Sequence, residues 1–503
     1  MAMKNWMAEL ASYYDKTRGS YPQDRLMILF DIDGTMLDMR SMILYVLQAY
    51  DRNHGNGFFR NLGISDITVH ENSVDCLLAR LPLRPEEQEE VLSWYLKHRW
   101  TSAAIIESHR AFRGVLEVIR WFQIQPGTYV GLNTGRPEAL RADTLHSLNK
   151  LGKDYRVSFT DELLHMNPAG WDEEVENAKV GGVLHFQKEG YRIFAMVDNE
   201  PDNLKAVSKI DPQQEILLLH ADTIFESKRA KMPRRTVRGK AYDLIELISE
   251  KALPERIQFV WHGVNDKANL RQFLASDIHW AEFDIRTDPV SNDLILRHDS
   301  LENTPQQEDE DRLILDDLLC RLHKTGKGVK LDLKGGGTLV DRVLDIVDAY
   351  SLKESCLWFN AKVERLQESG FRRLAAAHPS AVLQCPVSFL APLIFSAPRK
   401  AKEILTMFTD WGINRFSISW LTPDMRQFFD QMDQWRFEIN IYDVPDLESF
   451  LQAVLLMPRS ITSDFNFPKW YYYGRGSGEN GNHYEYSMQL SRGVMTVRRP
   501  GRV

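Results

Sequence analysis

Two patterns alternate along the chain. Short apolar runs end abruptly in charged or glycine residues, and longer stretches repeat apolar residues at every third or fourth place. The first kind reads as buried strand and the second as amphipathic helix. Residues 1–24 predict a short helix and a turn, and "LMILF" (26–30) predicts a strand running into Asp31 and Asp33 before turning on Gly34. From 39 to about 115 strand patterns almost vanish, and "SMILYVLQAYD" and "PEEQEEVLSWYLKHRW" predict helices. Strands return in "GTYVGLNTG", "YRVSFT", "YRIFAMVDNE" and "EILLLHA", with helical stretches between them. That alternation predicts a parallel sheet with helical crossovers. A helix around "GKAYDLIELISEKAL" precedes a boundary near Pro254.

Beyond the boundary the rhythm restarts. Apolar segments recur at "IQFVWHG", "IHWAEFDIR", "DLILRHD", "GVKLDLK", "SCLWFNA", "SAVLQCPV", "INRFSISW" and "RFEINIY", mostly separated by helix-like stretches. Eight parallel strands with helices between them predict a (β/α)8 barrel, typically ~250 residues long. The expected class is therefore α/β: a Rossmann-like unit over 1–250 with a helical insert at about 39–115, a TIM-type barrel over 255–465, and a glycine- and aromatic-rich tail over 466–503.

Composition changes this picture little. The chain has 503 residues, 43% hydrophobic and 26% charged, enough for ordinary globular cores. A net charge of −8 gives no bulk attraction to nucleic acid or anionic membrane. The basic run at 228–240, "KRAKMPRRTVRGK", reads as a solvated loop, with an anionic or nucleic-acid partner as the alternative. The acidic run Glu308–Asp311 suits a helix N-terminus. Cys76, Cys320, Cys356 and Cys385 show no metal or disulfide spacing. No leader-like apolar run opens the sequence and no ~18 apolar residues occur together, so no membrane span and a cytoplasmic location are expected.

Candidate chemistry sits at the strand ends. Asp31 and Asp33 disfavour each other's charge, which calls for a cation or a proton. Thr134 ends a second strand, Lys179 opens a helix, and Asp198 ends a third strand with Asp202 four residues on. Ligands of open α/β sheets collect at such carboxyl ends. In this order, over residues 25–250, these motifs resemble the haloacid dehalogenase superfamily in its phosphatase branch. The resemblance implies Asp31 as a nucleophile forming an aspartyl-phosphate, and Asp33 as general acid, then base. It implies Thr134 and Lys179 holding the phosphoryl oxygens. Asp31, Asp198 and the main-chain carbonyl of Asp33 would bind Mg²⁺, with Asp202 a further ligand or an orienting group. It also implies that the helical insert is a movable cap that selects substrate.

The second half offers another set. His262 and Asn265 follow its first strand, while Glu282 and Asp284 share a face of its second by the period of two. His298 and Asp299 follow the third segment, Lys330, Asp332 and Lys334 share a face of the next, and Asn360 ends the one after. Carboxylates inside a barrel are costly unless paired, so a metal or anion site is indicated, with structural salt bridges as the alternative. "HGVN", "EFD", "RHD" and "KLDLK" resemble the barrel shared by glycerophosphodiester phosphodiesterases and phospholipase-D-like venom enzymes. They are closer still to the menorin family, and "SITSDF" resembles the closing strand of the phosphodiesterases. The resemblance implies His262 and His298 as acid and base. It also implies Glu282, Asp284 and Asp332 around a divalent cation, Mg²⁺ or Ca²⁺, with Lys334 near phosphate. Lys330, Asn265 and Asn360 are further candidates for substrate contact. One departure stands out: those phosphodiesterases usually carry Arg after the first histidine, where this chain has Gly263.

The combined expectation is a metal-dependent phosphoester hydrolase acting on a small phosphorylated metabolite or a phosphodiester. Two alternatives remain: an active first unit with a barrel that only binds ligand, and a phosphometabolite-regulated interaction protein.

Overall fold

The computed structural model describes residues 5–168, 170, 175–223, 231–248, 252–276, 278–304 and 312–463, together with the backbone of four short strands between 475 and 498. The chain divides into two compact units, 1–249 and 250–503. The first is a six-stranded sheet of β1 (Arg25–Phe30), β2 (Thr128–Pro137), β3 (Leu164–Asn167), β4 (Tyr191–Asp198), β5 (Leu217–Ala221) and β6 (Val237–Gly239). Its order is β3-β2-β1-β4-β5-β6, parallel throughout. β1 lies inside the sheet with both faces covered, which is why "LMILF" is apolar without alternation. Met27, Leu29, Val183, Phe186, Ile193 and Met196 form one core across the sheet and the helix Val175–Lys188. Phe30 is level with Leu132 on one side and Val197 on the other, so the carboxyl ends of β1, β2 and β4 open side by side.

Two expectations for this unit change. "YRVSFT" is no strand: a 3-10 turn at Lys153–Tyr155 leads to Arg156 at φ 57°, which breaks the extension, and β3 forms further on. Around "GKAYDLIELISEKAL" the helix is confined to Leu244–Leu247, while 249–251 lie outside the described residues. The insert carries the helices Arg40–His54, Val74–Leu78, Pro85–His98 and Ser102–Ser108. Its outgoing and returning linkers pair, Asp38 N–H donating to Arg110 O (2.8 Å) and Phe112 N–H to Met36 O (2.9 Å).

The second unit is a closed eight-stranded parallel barrel: β7 (Gln258–Trp261), β8 (Trp280–Thr287), β10 (Gly328–Leu333), β11 (Leu357–Asn360), β12 (Val382–Pro386), β13 (Arg415–Ser419), β14 (Ile439–Tyr442) and β15 (Ser460–Ser463). β9 (Leu294–Leu296), the "DLILRHD" segment, is not one of the eight. It returns antiparallel along β8 after a short turn, because a parallel neighbour needs a crossover of a dozen or more residues. The eighth place belongs to β15, from "SITS", which pairs with β7 and closes the ring. Tail residues 475–477 pair antiparallel with 483–485, and 487–491 with 494–498. The acidic run 308–311, the start of the basic run (228–230) and the rest of the tail lie outside the described residues. Among the described residues no helix is long and apolar enough to cross a membrane.

Candidate active sites

In the first unit the strand ends converge as the sequence suggests. Asp31 follows β1 directly and Asp198 ends β4, and both are buried. Lys179, 1% exposed, reaches between them: its Nζ contacts Asp31 Oδ1 and lies 3.1 Å from Asp198 Oδ2. Burial pushes the Asp31 carboxyl up to about 7, against the opposing pull of Lys179. For Lys179, burial works downward, but Asp198 and Asp31 outweigh it and keep the ammonium charged. Asp31 Oδ2 accepts from Thr35 Oγ1 (3.0 Å) and, with the Asn199 amide turned so that its nitrogen faces acceptors, from Asn199 (3.3 Å). Gly34 makes this turn at φ 75°, where a Cβ would sit 2.4 Å from the Asn199 amide. Asp198 is fixed by Glu200 N–H (2.8 Å) and by Asn203 Nδ2, 3.1 Å from each carboxylate oxygen. Asp202 makes none of these bonds; Asn203 orients the carboxylate. Thr134 is buried at the same end, its Oγ1 accepting from Arg136 N–H at 3.2 Å.

Several residues here escaped the sequence reading. Arg136, 1% exposed, grips Asp33 with two bonds, Nε to Oδ2 at 2.8 Å and Nη2 to Oδ1 at 2.6 Å. Burial would raise Asp33, but Arg136 outweighs it and holds the carboxyl below its ordinary range. Arg136 Nη1 donates to Thr144 Oγ1 (3.0 Å) and Nη2 lies 3.2 Å from His109 Nε2. His109 Nδ1 meets Ser147 Oγ (2.8 Å), which donates to Ile105 O. These contacts fix the tautomer: Nδ1 carries the hydrogen and Nε2 accepts from the guanidinium. Burial, reinforced by Arg136, lowers His109 to about 3, so the ring is neutral. Asn133 clamps Lys179 at both ends, its main-chain carbonyl accepting from Nζ and its side-chain Nδ2 donating to Lys179 O (2.8 Å). From the insert, His70 bridges Glu71 (3.1 Å) and Glu200 (3.3 Å). Glu71 is raised to about 7 by burial.

In the barrel, register places Lys330 beside Glu282 and Asp332 beside Asp284, with Asn360 beside Asp332 on the other side. Oxygens of Glu282, Asp284 and Asp332 lie within 4.8 Å of one another. The four residues expected to meet substrate all engage these carboxylates, Lys334 two of them. Lys330 Nζ is 3.0 Å from Glu282 Oε2, and Lys334 contacts both Asp332 and Asp284 Oδ1 (2.7 Å). Asn265 Nδ2 donates to Asp284 Oδ2 (2.6 Å) and Asn360 Nδ2 to Asp332 Oδ1 (2.8 Å). Burial works to raise Asp284, yet Lys334, with His298 and His262, holds it well below the carboxylate range. Burial raises Asp332. His298 Nδ1 is 2.8 Å from Asp299 Oδ1, and Arg286 donates to the His298 carbonyl (2.9 and 2.6 Å). Gly263 adopts φ 66°, a conformation glycine takes without strain and arginine does not.

Three hard-oxygen carboxylates this close suit Mg²⁺ or Ca²⁺. In the first unit Asp31 and Asp198, already converging on one ammonium, offer the same donor chemistry.

No protein-family model and no curated protein matches the chain. Solved structures similar to it include haloacid dehalogenase-superfamily phosphatases and glycerophosphodiester phosphodiesterases, each over less than half of the chain. An Oleispira antarctica phosphodiesterase, solved with the product sn-glycerol-3-phosphate, is 17% identical over 44% of this chain and 96% of its own (TM-score 0.33). A glycerophosphodiester phosphodiesterase from Agrobacterium tumefaciens is 14% identical over 41% and 94% (TM-score 0.31). A haloacid dehalogenase-like hydrolase from Streptococcus pneumoniae is 12% identical over 40% and 87% (TM-score 0.27).

Proposed function

We propose that the chain is a phosphoester hydrolase with two sites: a phosphomonoesterase in residues 1–250 and a phosphodiesterase in the barrel, 255–465. The observation that carries the first reading is the buried Asp31–Lys179–Asp198 cluster at adjacent strand ends, with Asp33 just beyond it. Asp31 attacks phosphorus and the bond to the leaving oxygen breaks; Asp33, ionised against Arg136 in the free protein, takes up a proton as substrate draws it off the guanidinium and passes that proton to the leaving oxygen. Asp33 then takes a proton from water, whose oxygen attacks the aspartyl-phosphate and releases phosphate. Lys179 and Thr134 hold the phosphoryl oxygens, and Asn133 holds Lys179 in place. Asp31, Asp198 and the Asp33 carbonyl would hold Mg²⁺, which supplies neutralising charge to the phosphoryl group.

For the barrel, His262 and His298 serve as acid and base, with Asp299 orienting His298. Glu282, Asp284 and Asp332 would hold a divalent cation, which supplies charge for a phosphodiester. The substrates are small phosphorylated metabolites, and a diester cleaved in the barrel yields the monoester class that the first site consumes. Linking the two raises the local concentration of that intermediate.

The test is a pair of single variants. Asp31→Asn should drop aryl phosphomonoester hydrolysis to background and spare diester cleavage, while His298→Ala should do the reverse. Near-normal monoesterase activity in Asp31→Asn would remove the aspartyl-phosphate mechanism.

A further inference from the structure

Among the described residues two cations are buried in the barrel: Arg415, which lies over one side of Trp358 and pairs with Glu438, and Lys330, which alone of the two pairs with one of the three clustered carboxylates. The Lys330 side chain is 2% exposed and cannot swing into solvent. The ammonium has a built seat: Glu282 Oε2 at 3.0 Å, Thr462 Oγ1 at 3.0 Å and the face of Trp358 at 4.8 Å from the ring centre. That seat is braced from below, since Thr462 Oγ1 and Ser460 Oγ both donate to Asn440 Oδ1 (3.1 and 2.8 Å). Lys334, by contrast, sits at the mouth with an 11% exposed side chain and touches the other two carboxylates. Lys334 is the more exposed of the two lysines, so an incoming cation displaces it more easily than Lys330.

We propose that Lys330 sets the cation affinity of the barrel by competing for Glu282, so that Asp284 and Asp332 bind a divalent ion while Glu282 stays largely with the lysine. The inference rests on reading the three carboxylates as a cation site and narrows that reading, making Glu282 a ligand contested by Lys330 rather than a full third ligand. Like charges in a low-dielectric lumen repel, so the fixed ammonium weakens binding of any ion that draws on Glu282. The substitution Lys330→Met keeps the length and the contact with Trp358 but removes the charge. Glu282 then becomes an unpaired buried carboxylate, which is destabilising until a cation arrives.

The experiment is calorimetric titration of Mg²⁺, Ca²⁺ and Mn²⁺ into the full chain carrying Asp31→Asn, Lys179→Met and Asp198→Asn, which neutralises the first cluster as a whole so that only the barrel site reports. Lys330→Met should tighten Kd at least tenfold, and its melting temperature, lowered in chelator, should rise more on cation addition than that of the chain with Lys330 intact. Lys330→Arg should bind no more tightly than the intact chain. Glu282→Gln should change Kd less than threefold when Lys330 is present, but more than tenfold when combined with Lys330→Met. If Lys330→Met folds poorly, Glu282→Gln with Lys330 intact decides alone: a loss above tenfold there overturns the competition. Equal Kd with and without Lys330→Met also overturns it, with the cation site intact. Absence of binding in both overturns the cation site and the inference together.

Discussion

Arg136→Met removes the guanidinium that Asp33, Thr144 and His109 share. Two of its bonds go to Asp33, at 2.8 and 2.6 Å, from a side chain 1% exposed. Breaking a buried ion pair from one side costs about 3–5 kcal/mol, because the partner charge is left uncompensated. The Asp33 side chain is 16% exposed and can take water, which places the loss near the lower end, about 3 kcal/mol. Arg136→Lys should recover less than half of this, since an ammonium cannot match the fork that spans both carboxylate oxygens. Native-state hydrogen exchange, read on the slowest amides of β1 and β2, measures the opening free energy of this unit without unfolding the barrel. A loss below about 1 kcal/mol would show that the pair is solvated and nearly neutral in energy, and would refute its role in holding Asp33.

His109 should make the first unit sensitive to acid. Its folded pKa, about 3, lies below its ordinary value of 6.5, so its contribution to stability is complete above pH 6.5 and declines as pH falls toward 3. The slope approaches about 1.4 kcal/mol per pH unit, so pulse proteolysis of the first unit at pH 7 and pH 5 should show a loss that His109→Gln lacks; equal pH dependence in both proteins would count against a buried neutral ring. Asn133→Leu should lower kcat for an aryl phosphate by about 100-fold through misplacement of Lys179, with a smaller change in KM. A kcat within a few-fold of wild type would make that clamp dispensable.

The strand ends of the candidate site were legible because apolar runs stop where the polar groups begin. "LMILF" followed by Asp31, and "IFAMV" followed by Asp198, mark buried strands delivering carboxylates to one edge. Arg136 was within reach of the same logic: it lies two residues beyond Thr134 on the same extended β2, hence on the same face. His109 was not, because its place against Arg136 depends on how the insert returns beside its outgoing linker. Asn203, which the sequence did not single out, is the residue that bonds the Asp198 carboxylate; one step along a helix from Asp202 rotates the side chain by about 100°. In the barrel, the period of two placed Glu282 with Asp284 and Lys330 with Asp332. The ring closure was half read: "DLILRHD" carries strand residues, but the few residues between β8 and β9 permit only an antiparallel return. The pairing of each lysine with a particular carboxylate is a matter of register between distant strands, which local pattern does not carry.

The central claim is that Asp31 becomes covalently phosphorylated. The direct measurement is peptide mapping by mass spectrometry after brief reaction of Asp33→Asn with an aryl phosphomonoester and acid quench. Loss of the Asp33 base should slow hydrolysis of the intermediate and let it accumulate. The account predicts a phosphoryl group on the peptide spanning residues 26–40, located on Asp31 and abolished by Asp31→Asn. A phosphoryl group on any other residue, or phosphate release with no phosphopeptide in single-turnover time courses, would contradict it.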